Sequence, residues 1–195
     1  IPFNGWFLMS SYLAIITVFI WINKPNYLKS KIVLISFLLL QLTYFATVLH
    51  HKKEVEFLVF NQIKETIIGE KNGNNITFIS NDTLDKNRML KSYLVAQFNP
   101  TTSQKHLGNL LYFNKQKILI LDASGVYTKT IKPDIILITK SPKINFERLL
   151  IDLKPKLVIA DASNYKSSVE KWKTTCLKQK IPFHATSEKG FYKLK

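Results

Sequence analysis

Apolar positions along the chain fall into two regimes. Residues 1–22, IPFNGWFLMSSYLAIITVFIWI, and residues 32–49, IVLISFLLLQLTYFATVL, contain no charged side chain. At 1.5 Å rise per residue, about 20 such residues cross the ~30 Å hydrocarbon core of a bilayer. The pattern therefore predicts two transmembrane helices, at about 3–22 and 32–49. Trp6 and Trp21 lie near the two ends of the first, at headgroup depth. A cleaved secretory signal fits poorly, because no basic segment and no small-residue cleavage site precede Lys24. The bland alternative is a buried helical hairpin in a soluble protein. The linker NKPNYLKSK holds three lysines and a proline, and short Lys-rich loops stay cytoplasmic. That places both the N-terminus and the long tail outside. Lys52 and Lys53 pull the other way, but long domains translocate largely regardless of charge.

Beyond Lys53 the pattern shortens. EVEFLVFN (54–61) reads as a strand, and ETIIGEKNGNNITFISN (65–81) as a hairpin with Asn-Gly at its turn. Residues 82–105 read as a helix capped by Asp82 and stopped before Pro100. NLLYFNKQKILILDAS (109–124) reads as a second hairpin turning at NKQ. Then the rhythm becomes strand and helix: DIILIT (134–139), NFERLLIDLK (145–154), KLVIAD (156–161) and SSVEKWKTTCLKQK (167–180). IPFHAT and KGFYKLK close the chain as short strands. Fully apolar strands suit a sheet covered on both faces, and this alternation predicts an α/β domain. Its roughly 140 residues are enough for a core of their own. No internal repeat is visible. GEKNGNN lacks the Lys-Ser/Thr ending of a phosphate loop.

Charge sharpens the contrast. All 13 acidic residues and 25 of the 28 basic ones lie beyond position 51, a surplus of twelve positive charges. Such a surface favours phosphate backbones or anionic headgroups, although dispersed lysines equally describe a solvated basic surface. The chain begins with Ile1, which predicts that it is a piece of a longer polypeptide. Cys176 is the single cysteine, so no intrachain disulfide forms. Helical spacing puts Trp172, Cys176 and Leu177 together on a buried face.

Candidate chemistry is sparse. His50, His51, His106 and His184 do not cluster as metal ligands would, and His50-His51 falls at a membrane boundary. Asp122 ends ILILD and Asp161 ends LVIAD, and ligands of open α/β sheets gather at the carboxyl ends of strands. "DAS" follows the same pattern at both, which favours turn-forming carboxylates over catalytic ones. Ser124 and Ser163 have no histidine at a triad-like spacing.

The order of parts, with ILILDASG, KPDIILITKSPKINFERLLIDLKPKLVIADASNYKSSVEKWKTTC and IPFHATSEKGFYKL, resembles the C-terminal end of ComEC-type competence proteins. These are polytopic membrane proteins that take up transforming DNA. The resemblance spans essentially the whole chain and is most specific over residues 118–195. It implies an α/β fold of the metallo-β-lactamase-like αββα sandwich type, partial or degenerate, preceded by the two transmembrane helices. It implies a membrane part at 1–51 with a cytoplasmic loop, and an extracytoplasmic or periplasmic domain at 52–195. The family's metal motif, Thr/Ser-His-x-His-x-Asp-His, opens at Thr139. Its ligand positions then fall on Lys140, Pro142, Ile144 and Asn145, none of which replaces the expected ligand. No catalytic residue, metal or cofactor is therefore expected. The expected function is non-catalytic DNA binding or guidance toward a channel, through Lys140, Lys143, Lys129, Lys132 and Lys166. Expected partners are DNA, the lipid bilayer and the remaining membrane part of the same polypeptide; other competence proteins stay unspecified. Two alternatives are a metal-dependent nuclease acting on the non-transforming strand through Asp122, Asp161 and His184, and a structural cap on the permease.

Overall fold

The computed structural model describes residues 5–81, 84, 87–97 and 100–194. The chain divides into two compact units, one of residues 1–54, 72–74 and 85–101, the other of residues 55–71, 75–84 and 102–195.

In the first unit α1 (Gly5–Asn23) and α2 (Tyr27–Lys53) form a hairpin. α2 starts five residues before the uncharged run, so the connection shrinks to Lys24-Pro25-Asn26. Lysine is a good helix former, so Lys29 and Lys31 do not delay the helix as the charge pattern implied. Ser10, Ala14 and Thr17 share one face of α1, where small side chains let two backbones approach. Ser10 Oγ meets Thr43 Oγ1 at 2.9 Å, and Thr17 Oγ1 meets Ser36 Oγ at 2.8 Å. The outward faces carry exposed Met9, Ile15, Phe19, Leu34, Ile35 and Phe45. Both helices are long and apolar enough to cross a membrane.

The same unit holds α3 (Arg88–Ala96). It is shorter than predicted. Its cap is Asn87, whose side-chain oxygen accepts the N–H groups of Met89 and Leu90, while Asp82 lies outside the described residues. Residues Thr101–Lys105 are not helical but form the strand β4. Proline disfavours helix for the residue before it and removes a helical donor, and Thr101-Thr102 that follow are β-branched.

Two five-stranded sheets organise the rest. One runs β10 (Tyr192–Leu194), β1 (Val55–Val59), β2 (Ile68–Asn72), β3 (Asn75–Ile79), β4. The other runs β5 (Leu110–Phe113), β6 (Gln116–Leu121), β7 (Ile135–Ile138), β8 (Leu157–Ala160), β9 (Phe183–Ala185). β5 and β6 are an antiparallel hairpin turning through Asn114 and Lys115, both with positive φ; β6 to β9 are parallel. Parallel neighbours need crossovers, and α4 (Phe146–Leu153) and α5 (Lys166–Lys178) supply two of them. A one-turn helix, α6 (Thr186–Lys189), follows β9. The fold is thus α/β as expected.

Side-chain alternation along the parallel strands sorts two cores. Ile118, Ile120, Ile135, Leu137 and Ile159 face Phe57, Val59, Ile68 and Ile79 of the first sheet. Leu119, Leu121, Ile136, Ile138, Val158 and Ala160 face the other way, onto Phe146, Leu149, Leu150 and Leu153 of α4 and Val169, Trp172 and Cys176 of α5. All four apolar positions predicted for α4 are buried. The expectation for Leu177 was wrong: it is 79% exposed. Residues 169, 172 and 176 define the buried stripe, and position 177 is rotated about 100° from 176.

Leu149→Ala should lower unfolding stability by about 2–5 kcal/mol, because it leaves a cavity in the core between sheet and helices. Leu177→Ala should change it by less than about 0.5 kcal/mol. Urea unfolding of the full chain in detergent, followed by Trp172 fluorescence, compares them. Equal effects would contradict the register of α5.

Candidate functional site

Because β6, β7 and β8 are parallel, their carboxyl ends lie on one edge of the sheet. The turns at 122–125, 139–145 and 161–165 gather there. After β7, Thr139 returns to the sheet by donating its N–H to the Leu121 carbonyl at 2.9 Å. Lys140 and Ser141 then take φ of 53° and 49°, two consecutive left-handed residues without a glycine. Such backbone is unfavourable for L-residues and persists where neighbours hold it. Here the Lys140 N–H donates to Ser163 Oγ and the Ser141 N–H to Asn164 Oδ1, each at 2.8 Å. Ser141 Oγ in turn accepts the Tyr165 N–H at 2.7 Å.

Asp161 is the hub beneath these bonds. It is 1% exposed. Its Oδ1 accepts the Ser163 N–H at 3.1 Å, the Ser163 hydroxyl at 2.5 Å and the Asn164 amide at 2.9 Å. Its Oδ2 accepts the Thr66 hydroxyl at 2.5 Å, from the loop between β1 and β2. Burial pushes its pKa up to about 6, opposed by hydrogen bonds from Ser163 and Thr66 and by the Lys140 charge. Asp122 has a plainer role: its Oδ1 accepts both the N–H and the hydroxyl of Ser124, closing the turn. Gly125 completes that turn at φ +66°, where a Cβ would sit 2.6 Å from Ile144 Cγ2. The paired "DAS" segments are therefore both turn-forming, as their composition predicts.

A divalent metal does not fit the donors at the expected ligand positions. Lys140 and Pro142 offer no ligand, and Pro142 is buried. Ile144 packs on the helix-side core, and Asn145 caps α4 by accepting the Arg148 N–H at 3.0 Å. Asp122 and Asp161 are engaged as described. His184 pairs with Ile159 across β8–β9, with its Nε2 3.1 Å from the Gly190 carbonyl and its ring edge-on to Tyr192. Among the described residues no three His, Cys, Asp or Glu side chains group as ligands for a metal ion.

The lysines separate into two sets. Lys140 and Lys143 are exposed on the turn after β7, and exposed Lys166 follows Tyr165 on the bonded turn after β8. Lys129 instead pairs with Asp152 near the end of α4, at 3.1 Å. Lys132 precedes β7, so it lies toward the amino ends of the strands, as Asp152 does. Lys129 and Lys132 are thus not brought together with the other three.

A family model described as the ComEC C-terminal domain matches residues 57–195. The chain belongs to the ComEC C-terminal domain family. Comparison with curated proteins found no match. The ComEC family is associated with the membrane, and membership points to a role in DNA uptake competence. Within this ComEC domain, sequence reasoning missed Thr66 and Asn164. Thr66 reaches Asp161 from 95 positions away, which no local pattern reveals. Asn164 had a readable signal in its place three residues after Asp161, in an Asx-type turn.

Asp161 makes stability depend on pH in a defined direction. A raised pKa means the folded protein keeps a proton that the unfolded chain has released. The group's contribution is complete below about pH 4, declines as pH rises, and is lost above about pH 6. The full span is about 3 kcal/mol. Asp161→Asn should flatten stability over this window in thermal melts, relative to the native chain. Asp161→Ala should destabilise at every pH, because three donor residues lose their acceptor. An unchanged pH profile in Asp161→Asn would refute the assignment.

Proposed function

We propose that this chain is a membrane-anchored, non-catalytic DNA-binding tail of a DNA-uptake protein. In this reading residues 1–51 cross the bilayer twice, and residues 52–195 form a degenerate metallo-β-lactamase-like domain outside the cytoplasmic membrane. The observation that carries it is the edge formed by the turns after β7 and β8, where Lys140, Lys143 and Lys166 are exposed. Lysine ammonium groups attract phosphodiester oxygens as point charges, and each neutralised phosphate releases condensed counterions. Lys129 and Lys132 would add a more remote positive field. The exposed apolar faces of α1 and α2 support a lipid or intramembrane setting, since so large a surface is not left in water. The three lysines between residues 24 and 31 support a cytoplasmic turn, which puts the tail outside.

Binding is tested with the full chain in zwitterionic nanodiscs and a labelled duplex, across salt concentration. Lys140→Ala/Lys143→Ala/Lys166→Ala should weaken binding and reduce the log–log salt slope by about 0.9 for each phosphate that is no longer neutralised. Absence of binding at low salt, or binding indifferent to salt, would sink the reading.

Placement is tested by thiol labelling. Cys176 is buried and its thiol pKa is pushed up to about 12 by that burial, so it stays silent to maleimide. In intact spheroplasts an impermeant maleimide should label Ser187→Cys at once, and Asn26→Cys only after permeabilisation. The opposite order would invert the topology.

A further inference from the structure

We infer that Tyr165 is a stacking platform for an unpaired base, so that the strand preferred at this edge is single-stranded. The inference rests on the DNA-binding reading above and adds the strand class and the residue that selects it. Tyr165 is 73% exposed. Among the described residues its ring has no aromatic partner and its hydroxyl no hydrogen bond. Its backbone, by contrast, is held on both sides. The N–H donates to Ser141 Oγ at 2.7 Å, and the carbonyl accepts the N–H groups of Ser168 and Val169 at 3.0 and 3.1 Å. A large planar side chain with only two torsions thus projects from a fixed point, so ordering it on a ligand loses little freedom.

Its setting decides the ligand. Lys166 is the next residue, and the hydroxyl that fixes Tyr165 belongs to Ser141, between Lys140 and Lys143. None of these three lysines is in an ion pair among the described residues, whereas Lys129, Lys156, Lys173 and Lys193 are. Unpaired ammonium groups around an exposed aromatic face match the two requirements of single-strand binding, phosphate attraction and base stacking. A duplex offers phosphates and base edges but keeps its base faces stacked inside, so the lysines alone would serve it. Stacking accepts any base, so no sequence preference is expected at this edge.

The test uses the full chain in zwitterionic nanodiscs and three probes: an oligothymidylate, an abasic phosphodiester strand of equal length, and a duplex. The native chain should prefer oligothymidylate to the abasic strand. Tyr165→Ala should weaken oligothymidylate binding by about 5- to 100-fold. It should leave abasic and duplex binding and the salt slope nearly unchanged, while Tyr165→Phe retains the preference. If Tyr165→Ala binds oligothymidylate like the native chain, or weakens all three probes equally, stacking is overturned and the electrostatic reading stands. If the native chain binds none of the probes, both readings fall.

Discussion

Strands β6, β7 and β8 are buried on both faces over residues 118–121, 135–138 and 158–160. Ile118, Ile120, Ile135, Leu137 and Ile159 pack toward the first sheet, and their alternates pack on α4 and α5. Double burial excludes a register slip, since moving one strand by a single residue would exchange its two cores. Helical crossovers through α4 and α5 accompany the parallel pairing, and parallel strands put all their carboxyl ends on one edge. The position of the turn cluster is thus a consequence of strand direction. The polar residues decide only what the edge does.

At that edge the buried carboxylate of Asp161 is the organising element. Asp161 accepts from Thr66, Ser163 and Asn164, and the latter two residues accept the N–H groups of Lys140 and Ser141. The left-handed backbone at Lys140 and Ser141 is held by those bonds, which satisfy both donors in that shape. The hub ties the turn after β8 to the loop between β1 and β2 and to the turn after β7 through the protein's own groups. The exposed side chains of Lys140 and Tyr165 then project from backbone that is already fixed.

The hairpin of α1 and α2 is packed the other way round. Its helices meet through Ser10, Thr17, Ser36 and Thr43, small hydroxyl residues, and carry their bulky apolar side chains outward. That is the reverse of the second unit, where bulky residues pack inward and lysines face out. Small residues at a helix interface let two backbones approach, whereas bulky residues inside a sheet core bury apolar area.

Periodicity alone determined much of this protein. Unbroken apolar runs marked both long helices, period-two and fully apolar segments marked the strands, and the spacing of Phe146, Leu149, Leu150 and Leu153 marked the buried face of α4. These are signals between near neighbours, which the chain carries wherever it is placed. Misses came where one turn of context was ambiguous: Leu177 beside the α5 stripe, and residues 101–105, where a proline divided helix from strand. Only the tertiary structure joined Thr66 to Asp161, and only it separated Lys129 and Lys132 from Lys140, Lys143 and Lys166. Which lysines share an edge depends on strand direction and on hydrogen bonds between turns far apart in the chain. No local pattern encodes either, because both arise when the sheet closes.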